Sequence, residues 1–88
     1  MSLLRLWSGK RLEKSELFVV NTSNNIYNIS SIKLIDYYSL YSISGKLITS
    51  SELNKAELEI DLNNYGRGVY FIVLETKNTV WSYKLIRN

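Results

Sequence analysis

The chain has 88 residues, 45% of them hydrophobic and 22% charged, with a formal net charge of +3. That length fits one domain with one core, burying about 60–65% of the surface its unfolded form exposes and therefore of modest stability. Neither Cys nor His occurs, which excludes disulfides, zinc centres, thiol nucleophiles and the usual general base near neutral pH.

The eleven basic residues are spread from Arg5 to Arg87 rather than clustered. They read as solvated charge, not as the patch that nucleic-acid binding requires. Seven Tyr accompany two Phe and two Trp, and Tyr, Ile, Val and Thr pack well on pleated surfaces, so the composition predicts an all-β class. No apolar run approaches the roughly 20 residues of a membrane-spanning helix.

Residues 1–15 read as a leader or linker that frays, with Trp7 packed over a sheet edge as the competing reading. Gly9-Lys10-Arg11 breaks any periodicity there. Met1 to Trp7 is too short and too poor in small residues for a secretory signal, so export would need a signal on a parent chain. Residues 16–88 read as the folded domain.

Leu17 to Val20 is a β-prone run that stops at Asn21-Thr22-Ser23-Asn24-Asn25. Asn accepts positive φ and bonds its own backbone, so this cluster predicts a hairpin turn without Gly, returning through Ile26-Tyr27-Asn28-Ile29. Lys33 to Ile43 is a second β-prone stretch, with Tyr38 and Leu40 on one face and Tyr37, Ser39 and Tyr41 on the other. Ser44-Gly45 turns the chain into a strand beginning Lys46-Leu47-Ile48-Thr49.

Glu52 to Ala56 is expected as a polar connection or a single helical turn. Leu58, Ile60 and Leu62 then alternate with Glu57, Glu59 and Asp61, as in a strand with one wet face. Asn63 to Gly68 is a turn-rich corner, Val69 to Thr76 an unbroken apolar strand, Lys77-Asn78-Thr79 a turn, and Val80 to Ile86 the closing strand. About seven β segments separated by turn signals predict a sandwich. Leu40, Leu47, Ile60, Leu62, Tyr70, Ile72 and Leu74 are the expected core.

Several residues admit both a structural and a functional reading. Tyr70, two residues after Gly68, is expected to send its hydroxyl back to the corner backbone, since a buried Tyr needs a partner. Glu57, Glu59 and Asp61 read as a solvated face rather than a metal site, because no convergent fourth ligand is visible. Tyr37, Tyr38 and Tyr41 near Lys33 read as packing residues rather than a base-stacking surface, with Asp36 in their midst. Gly66-Arg67-Gly68 lacks the spacing and the following helix of a phosphate loop. Val69, Phe71, Val73 and Tyr70, Ile72, Leu74 make both faces of one strand apolar. Either the strand is central and covered twice, or one face stays open to a partner.

The order Ser44-Gly45-Lys46-Leu47, Ile60-Asp61-Leu62, Gly68-Val69-Tyr70-Phe71-Ile72 and a final Lys84-Leu85-Ile86 resembles the type A C-terminal sorting domain of the type IX secretion system of Bacteroidetes. The resemblance covers about Leu17 to Asn88 and falls on Gly45, Lys46, Leu47, Gly68, Tyr70, Lys84, Leu85 and Ile86. Two departures stand out: the chain has no Pro where many members open with Pro-Asn-Pro, and Val73 stands where Lys is common. The resemblance implies an immunoglobulin-like antiparallel β-sandwich of about seven strands joined to an N-terminal cargo. It also implies passage through the periplasm, recognition by secretion machinery at the outer membrane and removal by a sortase-like protease, leaving the cargo at the cell surface or in the medium.

The expected role is therefore a non-enzymatic export signal with no cofactor, no metal and no nucleic acid, monomeric or weakly dimeric. Val69, Phe71, Val73, Lys84 and Arg87 are the candidate partner contacts. An adhesion or carbohydrate-binding sandwich is the alternative, and no nucleophile–base pair suggests an enzyme.

Overall fold

The computed structural model describes residues 18–88. The expected leader over residues 1–15 lies outside them. The described chain is all β apart from one short 3-10 turn: β1 (Phe18–Ser23), β2 (Ile26–Ser42), β3 (Leu47–Asp61), the turn at Leu62–Asn64, β4 (Gly68–Glu75) and β5 (Val80–Arg87). All pairings are antiparallel, in the order β1-β2-β4-β5, with β3 along β2.

The strands number five rather than seven because two of them are long. The segments expected at Ile26–Ile29 and from Lys33 are one strand, β2. The connection expected at Glu52–Ala56 is likewise part of β3. Both strands absorb the irregular sequence as bulges. Ser30 pairs with Glu57 and Ile35 with Lys55, so β2 loops out between them and leaves Ile32 and Leu34 exposed. Between Lys55 and Glu52 the surplus lies on β3, where Asn54 takes φ +54°. Asn reaches the left-handed region at little cost, so a bulge is formed where a helical turn was expected.

These bulges let the sheet fold back on itself. β1 pairs with the first part of β2, and β4 pairs with its last part. Although β1 and β5 stand at opposite ends of the strand order, Phe18 stacks on Trp81 with ring centroids 4.5 Å apart. One core therefore fills a sandwich-like fold. Ile29, Leu58 and Ile60 belong to one cluster with Leu40, Ile72, Leu74 and Leu85.

Of the expected core, Leu40, Ile60, Leu62, Tyr70, Ile72 and Leu74 are buried, but Leu47 is 50% exposed. Its register partner is Tyr41, on the outward side of β2, and the next residue, Ile48, packs on the core instead. A shift in pairing between Leu40 and Tyr41 produces this exchange. Slipping one residue sends a side chain to the other face.

The turns follow local chemistry. β1 runs on through Asn21, Thr22 and Ser23, and the reversal falls to Asn24 and Asn25, at φ +52° and +66°. Two consecutive positive φ values make the hairpin turn that suits the strand twist. Between β2 and β3 the Gly45 amide donates to the Ser42 carbonyl at 2.9 Å, with Gly45 at φ +90°.

Candidate partner-docking face

β4 separates its side chains cleanly. Tyr70, Ile72 and Leu74 enter the core, whereas Val69, Phe71, Val73 and Glu75 point outward. Residues in register on antiparallel strands share a face, so the outward surface can be followed across the sheet. Leu47 lies beside Tyr41, Tyr41 beside Phe71 and Phe71 beside Lys84. Ser50, Ser39, Val73 and Ser82 form the next row, and Val69 lies beside Ile86.

The result is an open apolar surface. Leu47 (50%), Ile86 (43%) and Phe71 (37%) are exposed, with Tyr41, Val69 and Val73 half-buried among them. Lys84 stands at its margin on the edge strand, exposed. Of the five expected contact residues, Val69, Phe71, Val73 and Lys84 thus share one face. Arg87 does not. It pairs with Gly68 and lies on the opposite side of β5, its Nε enclosed without a partner and its Nη1 donating to the Asn88 carbonyl at 2.7 Å.

The corner leading into β4 is held by backbone geometry. Asp61 accepts the Asn63 amide at 2.9 Å and so caps the 3-10 turn. The Tyr70 hydroxyl donates to the Gly66 carbonyl at 2.6 Å, as the corner sequence suggested. Gly68 sits at φ +141°, a conformation that side chains rarely adopt. Tyr65 packs at a tilt against Tyr70, with centroids 6.0 Å apart.

Other residues weighed from the sequence fall apart spatially. Tyr38 packs against the core while Tyr37 and Tyr41 point outward, so the three tyrosines do not form one stacking surface. The Tyr37 hydroxyl donates to Ser50 Oγ at 3.1 Å. Glu57 and Glu59 are exposed on β3.

Sequence reasoning missed the fastening of β5. The Tyr27 hydroxyl meets both the amide and the carbonyl of Ile86, and Asn25 Oδ1 accepts the Asn88 amide at 3.0 Å. Asn63 joins in, with its Nδ2 donating to the Asn24 carbonyl at 2.8 Å, while the Leu62 amide donates to the Asn25 carbonyl at 2.9 Å. The Asn-rich turn was visible as a turn, but nothing local in the sequence links it to residues some sixty positions away.

The family model for the secretion system C-terminal sorting domain matches residues 14–88. The chain belongs to that family. No curated protein matches it. Sorting domains of this family are export signals of the type IX system, directing proteins across the outer membrane to the cell surface or the medium. The residues on which the expected motif falls divide by place in this fold. Gly45, Gly68, Tyr70 and Leu85 shape turns and core, whereas Leu47, Lys84 and Ile86 lie on the open face. Lys46 is exposed in the β2–β3 turn.

Proposed function

We propose that this sorting domain acts without catalysis, as an address carried behind an N-terminal cargo. The cargo crosses the periplasm, the machinery docks on the open face of β4 and β5, and a sortase-like protease then severs the domain. The family match over residues 14–88 carries this reading. The face built on Val69, Phe71 and Val73 supports it, because a signal must be legible beside any cargo. Apolar contact supplies affinity, and Lys84 orients docking on an acidic receptor surface. Arg87, on the other side of β5, stands outside this contact.

The test is a fusion of the whole 88-residue chain to the C-terminus of a periplasmic reporter with its own signal peptide, expressed in a Bacteroidetes host. The reporter is expected at the cell surface or in the medium, and in the periplasm when the host lacks its type IX machinery. A folded fusion that stays periplasmic in the intact host overturns the reading and returns the domain to the adhesive class.

A further inference from the structure

The sheet has edges at β1, β3 and β5. An open edge is a row of unpaired amides and carbonyls that a second strand can join unless side chains or bulges prevent it. β3 is defended. It carries Glu52, Lys55, Glu57, Glu59 and Asp61 and is bent at Asn54, where φ is +54°. β5 carries only Lys84 and Arg87 as charges, has no Pro, and keeps one unbroken register with β4 from Gly68–Arg87 to Glu75–Val80.

The backbone direction of β5 is fixed by two observations. At the turn the Thr76 amide donates to the Thr79 carbonyl at 2.8 Å, which makes that pair a hydrogen-bonded one. Hydrogen-bonded and open pairs alternate in an antiparallel ladder, so Trp81, Tyr83 and Leu85 bond β4 while Val80, Ser82, Lys84 and Ile86 turn their backbone groups away. Ile86 agrees independently, since both its amide and its carbonyl meet the Tyr27 hydroxyl outside the ladder. Beyond it, the Asn88 amide is taken by Asn25. The far end of the edge is therefore closed by side chains. Among the described residues, nothing pairs with the outward backbone of Val80, Ser82 and Lys84.

We propose that β5 receives an extended segment of a partner protein as an added antiparallel strand along Val80–Lys84. The register specifies its chemistry. On the open face the added residues lie opposite Lys84, Ser82 and Val80, which calls for a carboxylate followed by small or β-branched polar side chains. On the other face they lie beside Tyr83 and Trp81, whose rings stack at 5.3 Å with planes 10° apart, and there aliphatic side chains fit. The segment ends where Tyr27 occupies Ile86. This inference deepens the sorting reading by naming how the machinery holds the domain, and it rests on that reading only for its cellular test.

The variant that isolates the edge is Ser82→Pro. Its ring replaces an amide hydrogen that β4 does not use, so the fold is kept while strand addition is blocked. Ser82→Ala alters the side chain alone. In the export assay the wild-type and Ser82→Ala fusions are expected outside the cell and the folded Ser82→Pro fusion inside. Export of Ser82→Pro at the wild-type level overturns strand addition and leaves the sorting reading standing. If the wild-type fusion itself is retained, the sorting reading falls and a second measurement decides the edge. There the acetylated, amidated peptide Glu-Val-Thr-Val-Thr is titrated into the isotopically labelled 88-residue chain. Amide shifts confined to the β5 edge, with Ser82→Pro weakening binding about tenfold or more, uphold the proposal. Unmoved amides at Val80, Ser82 and Lys84 overturn it. The same titration on the wild type decides the matter if Ser82→Pro does not fold.

Discussion

The Tyr27 hydroxyl accepts the Ile86 amide at 2.9 Å and donates to the Ile86 carbonyl at 3.1 Å, so one side chain fills both outward positions of that residue. Tyr27 belongs to the part of β2 that pairs with β1, whereas Ile86 is on β5. The bond therefore joins the two ends of a sheet that has folded back on itself. Asn25 and Asn88 extend the same seam. The strand that carries Lys84, Leu85 and Ile86 is thereby fastened to the first hairpin by polar contacts as well as by core packing.

Tyr27→Phe should keep the ring in the core and leave both Ile86 groups without that partner. The expected loss is about 1–3 kcal/mol in urea unfolding, with little change in the denaturant slope. Exchange of the Ile86 amide should quicken more than that of the core amides of β4. Uniform quickening across the sheet would mean that the bond is not a local fastening.

Gly68→Val should cost about 1–3 kcal/mol through backbone strain. Gly68 lies at φ +141°, and a Cβ built there meets nothing within 4 Å, so the cost is conformational rather than steric. Gly68→Ala should therefore cost nearly as much as Gly68→Val. Gly66→Ala, where a Cβ also finds open space and φ is not positive, should be close to neutral in the same unfolding measurement. A penalty for Val alone would point to crowding instead.

The all-β class was legible because period-two patterns survive locally. Leu58 and Ile60 against Glu57 and Glu59 reveal a strand without knowledge of its neighbours, and the β-branched and aromatic run from Val69 to Val73 reveals another by residue type. The number of strands was not legible. Polar stretches such as Ser30–Lys33 and Glu52–Ala56 resemble connections, yet long-range pairing carries the chain through them as bulges. Leu47 failed for the same reason, since its face depends on a register shift against Tyr41 rather than on its own type. The open face was half legible. Apolar residues on both sides of β4 raised the question, but only cross-strand register places Tyr41 and Leu47 on it, whereas the odd spacing of Lys84 and Arg87 on one strand already separates those two cations.

Tyr70→Phe should destabilise by about 1–2 kcal/mol, because the Gly66 carbonyl loses its 2.6 Å donor at a partly buried corner. The ring and its contact with Tyr65 remain, so Tyr70→Ala should cost more, in the range of about 3–5 kcal/mol for losing a buried aromatic side chain. Thermal unfolding of the two variants separates the hydroxyl from the ring. Equal losses would assign the whole effect to packing.

Lys84 and Arg87 are three residues apart on β5, and strand alternation puts them on opposite faces. Docking on the open face should therefore distinguish the two cations. Lys84→Glu reverses the charge beside Phe71, and Phe71→Ser removes the largest apolar side chain among the expected contacts. Both should lower export of the reporter fusion, and Lys84→Glu, at an exposed position, should leave stability within about 0.5 kcal/mol. Arg87→Gln should unfold at nearly the same urea concentration and be exported normally, since Nε has no partner and the Nη1 bond to the adjacent Asn88 carbonyl is local and exposed. Measuring extracellular reporter beside urea midpoints for all three variants keeps docking separate from folding. If Arg87→Gln blocks export while Lys84→Glu does not, the machinery reads the other side of β5 and the proposed face is wrong.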